Sequence, residues 1–327
     1  MSDLADLSLQ NSGSAKKPQD LRQFSTQELY NFLDSFDTIL SDCDGVLWNC
    51  HTPIPGALAT LKELQDKGKN VYFVSNNSTL SMKDFLKKLH TQGFPARKEQ
   101  IIIPSLVVVW YLKSIDFKGE AYVVGTDPFK NVLRENGIKV APPEPDSVKE
   151  DLAEVVKALQ DVPSIKAIIH DFEPNYSWMK IMRSIVSLRR DDCLYIAAAL
   201  DNKVAVGAEH PLLGTKVFTD IVSEFSGREP TLTGKPSKLL KQYVYKNCSI
   251  ADPERCIFVG DTIQQDMGFA KLCGFKKLFV SSGVTSLEEV LKEEHLRPEL
   301  YIPSIGGLLP LLKNLPPEDA RAGRKPQ

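Results

Sequence analysis

Two aspartates separated by one residue, Asp42-Cys43-Asp44, close a short apolar run, Thr38-Ile39-Leu40-Ser41, and lead directly into Gly45. A carboxylate so placed can act as a nucleophile and form a covalent intermediate, splitting one hard displacement into two easier ones. A second carboxylate two residues on can give a proton to the leaving oxygen and later take one from water. Asp42 is the candidate nucleophile because it comes directly off the run, and Asp44 is the candidate acid/base. Gly45 lets the chain turn sharply there without a side-chain clash.

Three more polar clusters share this placement or its purpose. Ser75-Asn76-Asn77-Ser78 follows Val71-Tyr72-Phe73-Val74. Gly234-Lys235-Pro236 enters a helical stretch. Gly260-Asp261-Thr262, with Asp266 a little beyond, follows Cys256-Ile257-Phe258-Val259. Singly, each has an ordinary explanation as a turn or a helix cap. All of them in this order, mostly at the ends of apolar runs, are poorly explained by chance. The chemistry they could share is phosphoryl transfer, which needs positioning and charge neutralisation more than elaborate covalent work. Ser75, Asn76, Asn77 and Lys235 are the candidate phosphate-binding residues, with Lys235 the fixed positive charge. Carboxylates beside a phosphate dianion repel strongly at low dielectric. Mg²⁺, which favours hard oxygen ligands, is the expected cofactor. Asp42, the backbone carbonyl of Asp44, and Asp261 are its candidate ligands, with Asp266 acting through water or supporting them from behind.

The elements that must hold these residues are legible as alternating apolar runs and amphipathic stretches. Strands are expected at Thr38–Ser41, Val71–Val74, Ile101–Ile103, Ala121–Val124, Ala167–Ile169, Leu194–Ala198, Cys256–Val259 and Lys277–Val280, with helices between them. Ala57–Lys67 is one such helix, begun after Pro55-Gly56 and stopped by Gly68. This alternation implies an α/β fold with parallel sheet, in which ligands bind at the carboxyl ends of the strands. Residues 1–25 and 315–327, polar and without periodicity, are expected to be tails.

At these residues the sequence is similar to the haloacid dehalogenase (HAD) superfamily of phosphatases. More narrowly, it resembles the 4-nitrophenylphosphatase-like branch that contains phosphoglycolate phosphatase and pyridoxal phosphate phosphatase. The resemblance runs from about Phe36 to Leu312 and includes Pro53-Ile54-Pro55-Gly56-Ala57 and Tyr122-Val123-Val124-Gly125. It implies a Rossmann-like core (26–117 and 230–314) with an inserted α/β cap of the C2 type (118–229). It also implies Asp42 as nucleophile, Asp44 as acid/base, Ser75 and Lys235 on the phosphate, and Mg²⁺ on Asp42, Asp44 and Asp261. A homodimer through the cap is a further implication. The sequence departs from the branch where a Thr-Asn-x-Asp-like stretch is replaced by Ala198-Ala199-Leu200-Asp201, and the following glycine turn by Leu213-Gly214-Thr215-Lys216. The polar cap contacts that would distinguish one phosphomonoester from another therefore do not carry over, and His210 reads as a loop histidine near that region.

The chain has 327 residues, 42% hydrophobic and 25% charged, with a formal net charge of −2. That is ordinary for a globular protein and gives no basic field for nucleic acid or an anionic membrane. The partner expected is a small phosphomonoester. Six scattered cysteines suggest free thiols and a cytoplasmic location. The longest apolar run, Ile101 to Leu112, is too short to span a bilayer. Cys43 reads as a packed thiol, the three tryptophans as core or cap packing, and Lys87-Lys88 as a solvated helix face. Among rival functions, a dehalogenase needs neither an acid at Asp44 nor the Asp261–Asp266 cluster, and a phosphomutase would keep every residue named. A catalytically weak or inactive scaffold of the same fold has no use for Asp42, Asp44, Lys235 and Asp261 together.

Overall fold

The computed structural model describes residues 17–143, 148–204 and 212–316. Along the chain come β1 (Gln19–Asp20), β2 (Thr38–Ser41), β3 (Asn70–Val74) and β4 (Ile101–Ile102). Next come β5 (Glu120–Val124), β6 (Lys139–Val140), β7 (Ile165–His170), β8 (Leu194–Ala197) and β9 (Thr231–Leu232). The last three are β10 (Cys256–Gly260), β11 (Lys276–Val280) and β12 (Leu300–Ile302). They build a seven-stranded sheet of order β1-β12-β11-β10-β2-β3-β4 and a five-stranded sheet of order β9-β8-β7-β5-β6. Every pairing in both sheets is parallel. All eight expected strands are present, and the α/β class holds.

Parallel strands are buried on both faces, which is why they read as continuous apolar runs. Along β2 and β10, Ile39, Ile257 and Val259 enter one core cluster while Leu40 and Phe258 enter the cluster on the opposite face. From β2 the sheet grows through β3 and β4 on one side and, after the chain has visited the smaller sheet, through β10 to β12 on the other. The strand order therefore reverses between β2 and β10, and a crevice opens at their carboxyl ends.

The apolar run noted above becomes the helix Pro104–Ser114, with its proline in the first turn. It serves two cores at once: Val107 packs against the large sheet, and Val108, Val109 and Leu112 pack against the small one. Packed on both sides, the helix is apolar nearly all round, and only its last turn, at Lys113 and Ser114, is exposed. Among the described residues no helix is long and apolar enough to cross a membrane. The helix expected at Ala57–Lys67 spans Ala57–Asp66, and Gly68 takes a φ of +83° just beyond it.

Several expectations need correction. Residues 17–25 are not a tail. β1 pairs with β12, Leu21 is fully buried, and Ser25 forms a capping box with Glu28 at the start of helix Thr26–Asp34. A two-residue edge strand held by backbone bonds and one leucine is too short to show a period. Residues 1–16 lie outside the described residues, as do 317–327 and His210. At the other end, Leu315 packs against the core and Tyr30 donates a hydrogen bond to the Pro316 carbonyl. The boundary expected at 229 falls short of β9, which still pairs with β8 of the small sheet. Trp178 is 56% exposed at the start of helix Trp178–Ser187 and does not pack in the core or cap.

Leu21→Ala should cost about 2–5 kcal/mol, the range for emptying a buried leucine site. Urea unfolding checks this through a lowered midpoint at unchanged slope. An unchanged midpoint would mean that the N-terminal edge is not part of the folded unit.

Candidate active site

The in-register pairing of β2 with β10 sets Ser41 beside Val259, and the Asp42 amide donates to the Val259 carbonyl at 2.8 Å. Asp42 and Asp261 thus leave the sheet from adjacent strands. The turn after Asp42 is tight: the Leu47 amide bonds the Cys43 carbonyl at 2.8 Å, the Gly45 amide bonds that of Trp48 at 2.8 Å, and Gly45 has a φ of +84°. A Cβ at Gly45 would lie 2.5 Å from Asp261 Oδ2, so glycine is required here for conformation and for space. Cys43 is fully buried, and burial raises its thiol well above the usual range, so it is a packed thiol.

At the start of this turn the Asp44 carboxyl is held by two side-chain donors. Trp48 Nε1 donates to Asp44 Oδ1 at 3.0 Å and Asn77 Nδ2 donates to Oδ2 at 3.2 Å. Trp48 is itself buried against the Phe85 ring, with Lys88 Nζ 3.9 Å above it. Lys88 also donates to the Cys50 carbonyl at 2.8 Å, and partial burial holds its pKa below the usual value. Lys88 is therefore part of the wall behind Asp44 and not a solvated face. A doublet of lysines on a polar helix gives no hint of that in sequence.

Lys235 is the centre of the buried charge. Its Nζ lies 2.6 Å from Asp42 Oδ1 and 2.8 Å from Asp266 Oδ1. Asn76 grips its backbone from both sides, accepting from the Lys235 amide at 2.8 Å and donating to its carbonyl at 3.3 Å. Asp266 Oδ2 accepts from the Asp261 and Thr262 amides and the Thr262 hydroxyl at 3.1, 3.0 and 2.8 Å, closing the turn after β10. Asp261 Oδ2 accepts from the Val284 amide at 2.7 Å, while its Oδ1 is buried with no hydrogen-bond partner among the described residues.

The carboxylates of Asp42, Asp261 and Asp266 approach within 4.8 Å of one another, all buried. Burial first and the Asp266 charge second raise Asp42 well above the ordinary carboxylate range, against the pull of Lys235. The same causes bring Asp261 up to about 7. Burial alone would lower Lys235, but Asp266 and Asp42 together hold it above the usual lysine value. One ammonium facing three carboxylates leaves a charge deficit. Hard oxygen donors and an orphaned buried carboxylate oxygen are the donor set a divalent cation such as Mg²⁺ accepts.

Asp42, Asp44, Ser75, Asn76, Asn77, Lys235 and Asp261 line one cleft, and Asp266 sits behind Lys235. The asparagine side chains are already committed, Asn76 to Lys235 and Asn77 to Asp44, whereas Ser75 Oγ accepts from the Asn77 amide at 3.0 Å and keeps its own proton to donate. The opposite wall comes from the small sheet and includes Phe172, Ala198, Ala199, Leu200 and Asp201. Asp201 and Gly214, the aspartate and the glycine of the divergent cap stretch, lie against each other. A Cβ at Gly214 would fall 1.8 Å from the Asp201 carbonyl, and the Gly214 amide bonds Asn202 at 3.0 Å. Gln265 donates to the Asp201 carboxyl, which burial raises to about 6.

A family profile described as haloacid dehalogenase-like hydrolase matches residues 39–139, and a second HAD-hydrolase-like profile matches 232–308. The chain is 30% identical over 293 residues to glycerol-3-phosphate phosphatase of Gallus gallus, covering 86% of this chain and 94% of that protein. It is 30% identical over 295 residues to phosphoglycolate phosphatase 1A, chloroplastic, of Arabidopsis thaliana, covering 88% and 81%. Its fold is shared with 4-nitrophenylphosphatase from Thermotoga maritima (TM-score 0.71, 21% identity, 87% and 99% covered). It is shared also with glycerol phosphate phosphatase from Mycobacterium tuberculosis, solved in complex with magnesium (TM-score 0.67, 20% identity, 83% and 75% covered).

Gly283 is the sharpest test of the cation-binding reading, because a Cβ there would lie 2.0 Å from Asp261 Oδ2. Gly283→Ala is expected to lower stability by about 1–3 kcal/mol and to abolish the rise in melting temperature that Mg²⁺ gives the wild type. Melting curves with and without Mg²⁺ decide it. An equal Mg²⁺ shift in both proteins would remove Asp261 from the metal site.

Proposed function

The chain belongs to the haloacid dehalogenase-like hydrolases, and on that premise we propose that it is a Mg²⁺-dependent phosphatase of small phosphomonoesters, working through an aspartyl-phosphate at Asp42. The observation that carries this reading is the buried set of Asp42, Asp261 and Asp266 around Lys235 at the strand-order reversal. Such a concentration of like charge is costly to bury and has no structural use that apolar side chains would not serve better.

In the proposed reaction an Asp42 carboxylate oxygen attacks phosphorus while the bond to the leaving oxygen breaks, and Asp44 supplies the proton that oxygen needs. Water then attacks phosphorus, gives a proton to Asp44, and releases phosphate with Asp42 restored. Asp44 suits this role because Trp48 and Asn77 fix both its oxygens apart from the Lys235 cluster. Lys235 Nζ can exchange its Asp42 contact for a phosphate oxygen, and Ser75 Oγ donates to another. Mg²⁺ bound among Asp42, the Asp44 carbonyl and Asp261 would neutralise charge on the transferring group. Asp266 would act from behind, as the anchor of Lys235 and of the β10 turn.

The proposed cap comprises the small sheet and its helices, and it walls the cleft from the other side. Its Ala198-Ala199-Leu200 face offers fewer polar contacts than a substrate-reading loop needs, so the reading stops at the class of substrate. The inactive scaffold fits less well, since it leaves the buried carboxylates without a purpose. A homodimer through the cap is part of the proposal, supported by Val217 and Phe225, exposed apolar residues of helix Lys216–Ser226. So is a cytoplasmic location, supported by six free cysteines.

Phosphate release from glycerol 3-phosphate, 2-phosphoglycolate, pyridoxal 5′-phosphate and 4-nitrophenyl phosphate tests the reading. Turnover should vanish with EDTA and return with Mg²⁺, and Asp42→Asn should lower it by about 10³-fold or more with little change in melting temperature. Metal-independent turnover, or an active Asp42→Asn, would sink the mechanism.

A further inference from the structure

Ser78 ends the polar loop after β3, and two side chains from the small sheet hold it. Asp171, directly after β7, accepts a hydrogen bond from the Ser78 hydroxyl. Thr126, directly after β5 and Gly125, donates from its hydroxyl to the Ser78 carbonyl at 3.0 Å. The two grips belong to neighbouring strands joined by the Asp171 amide, which donates to Val124 at 2.8 Å. Gly125 leaves the room this requires, since a Cβ there would sit 3.3 Å from Asp171 Cβ.

Both side chains forgo their ordinary satisfaction to do this. Thr126 occupies the N-cap position of helix Asp127–Glu135, yet its hydroxyl makes no capping bond. Asp171 is fully buried, and its Oδ1 has no hydrogen-bond partner among the described residues. A buried polar oxygen left unpaired is a cost that calls for a reason. The residue beside Ser78 supplies one. Asn77 Oδ1 accepts from the Thr79 amide and hydroxyl at 2.9 and 2.7 Å, which turns its Nδ2 onto Asp44 Oδ2.

We propose that Asp171 is a positioning residue: through Ser78 and Asn77 it makes the orientation of Asp44 depend on the small sheet being seated over the cleft. Asp44 is thereby set for proton transfer only when the cap is in place. The role assigned to Asp44 rests on the phosphatase reading above, but the geometric coupling does not. Burial raises the Asp171 carboxyl to about 7, against the Ser78 hydrogen bond that lowers it. An amide at this position keeps an oxygen to accept from Ser78 while removing the ionisable group, so it separates the hydrogen bond from the charge.

The test uses the full chain as wild type, Asp171→Ala, Asp171→Asn and Ser78→Ala, with melting temperatures as the check on folding. Two readouts are compared. The first is kcat/KM, which reports aspartyl-phosphate formation and not the later attack of water that Asp44 also serves. It is compared for glycerol 3-phosphate, whose alkoxide must be protonated to leave, against 4-nitrophenyl phosphate, whose phenolate leaves without a proton. The second is the indole ¹H–¹⁵N resonance of Trp48, whose Nε1 bonds Asp44 directly. Asp171→Ala and Ser78→Ala should lower kcat/KM for the alkyl ester by about 10-fold or more and for the aryl ester by less than about 3-fold. Both should move the Trp48 resonance, and Asp171→Asn should restore both readouts. Equal losses on the two substrates, or an unmoved resonance, would overturn the proposal. If the wild type turned over neither ester while Asp171→Ala still moved the resonance, the phosphatase reading would fail and the coupling would stand.

Discussion

Lys235 Nζ, buried and within 2.6 Å of Asp42 and 2.8 Å of Asp266, is the positive charge that lets three buried carboxylates share one site. A buried ion pair seldom adds net stability, because desolvation takes back most of the Coulomb gain. This one is held by covalent and hydrogen-bonded geometry that leaves it little freedom. The Lys235 backbone is clasped by Asn76, and the chain just after it is capped into helix Lys238–Asn247 by Ser237. Asp42 is set by the β2–β10 register, and Asp266 by a turn whose amides fill its second oxygen. The fold supplies rigidity, and the site uses it to keep charges where water would otherwise separate them.

The four polar residues after β3 show how one short loop can serve several parts of the site. Ser75 retains a free hydroxyl proton, Asn76 secures Lys235, Asn77 secures Asp44, and Ser78 meets the small sheet. None of these contacts is worth much alone, since a single hydrogen bond contributes about 1 kcal/mol net. Together they tie the carboxyl end of β3 to that of β2, to Lys235 and to the small sheet.

What was legible in sequence was what is local. β2, β3 and β10 are short apolar runs ending in polar clusters, and both halves of that signal lie within ten residues. Asp42, Asp44, Ser75 and Asp261 follow from it, and Lys235 from a Gly-Lys-Pro turn that enters a helical stretch. Contacts made across the fold left no such mark. Lys88 reads as one of two solvent-facing lysines, yet it lies over Trp48. Asp171 follows a strand like the others, but its partner Ser78 is 93 residues away and gives no sign of it in sequence. β1 was missed for a different reason. Its pairing is made by backbone groups, which every residue carries, and only Leu21 marks the place where side-chain burial begins.

The insertion of the small sheet between β4 and β10 also fixes an order of events during synthesis. Lys235 lies 193 residues beyond Asp42. At ~5–20 residues per second the ribosome needs about 10–40 s to deliver it. Over that interval β2 has no β10 beside it, and Asp42 has no cation. The smaller sheet, by contrast, has all its strands once Leu232 has emerged, just ahead of Lys235. The nascent chain can therefore complete the inserted unit first, while the larger sheet waits with an open central edge. An edge left open that long is a surface a chaperone can occupy and a second nascent chain can pair with. The charge balance on which the site depends arrives only when the chain returns to close it.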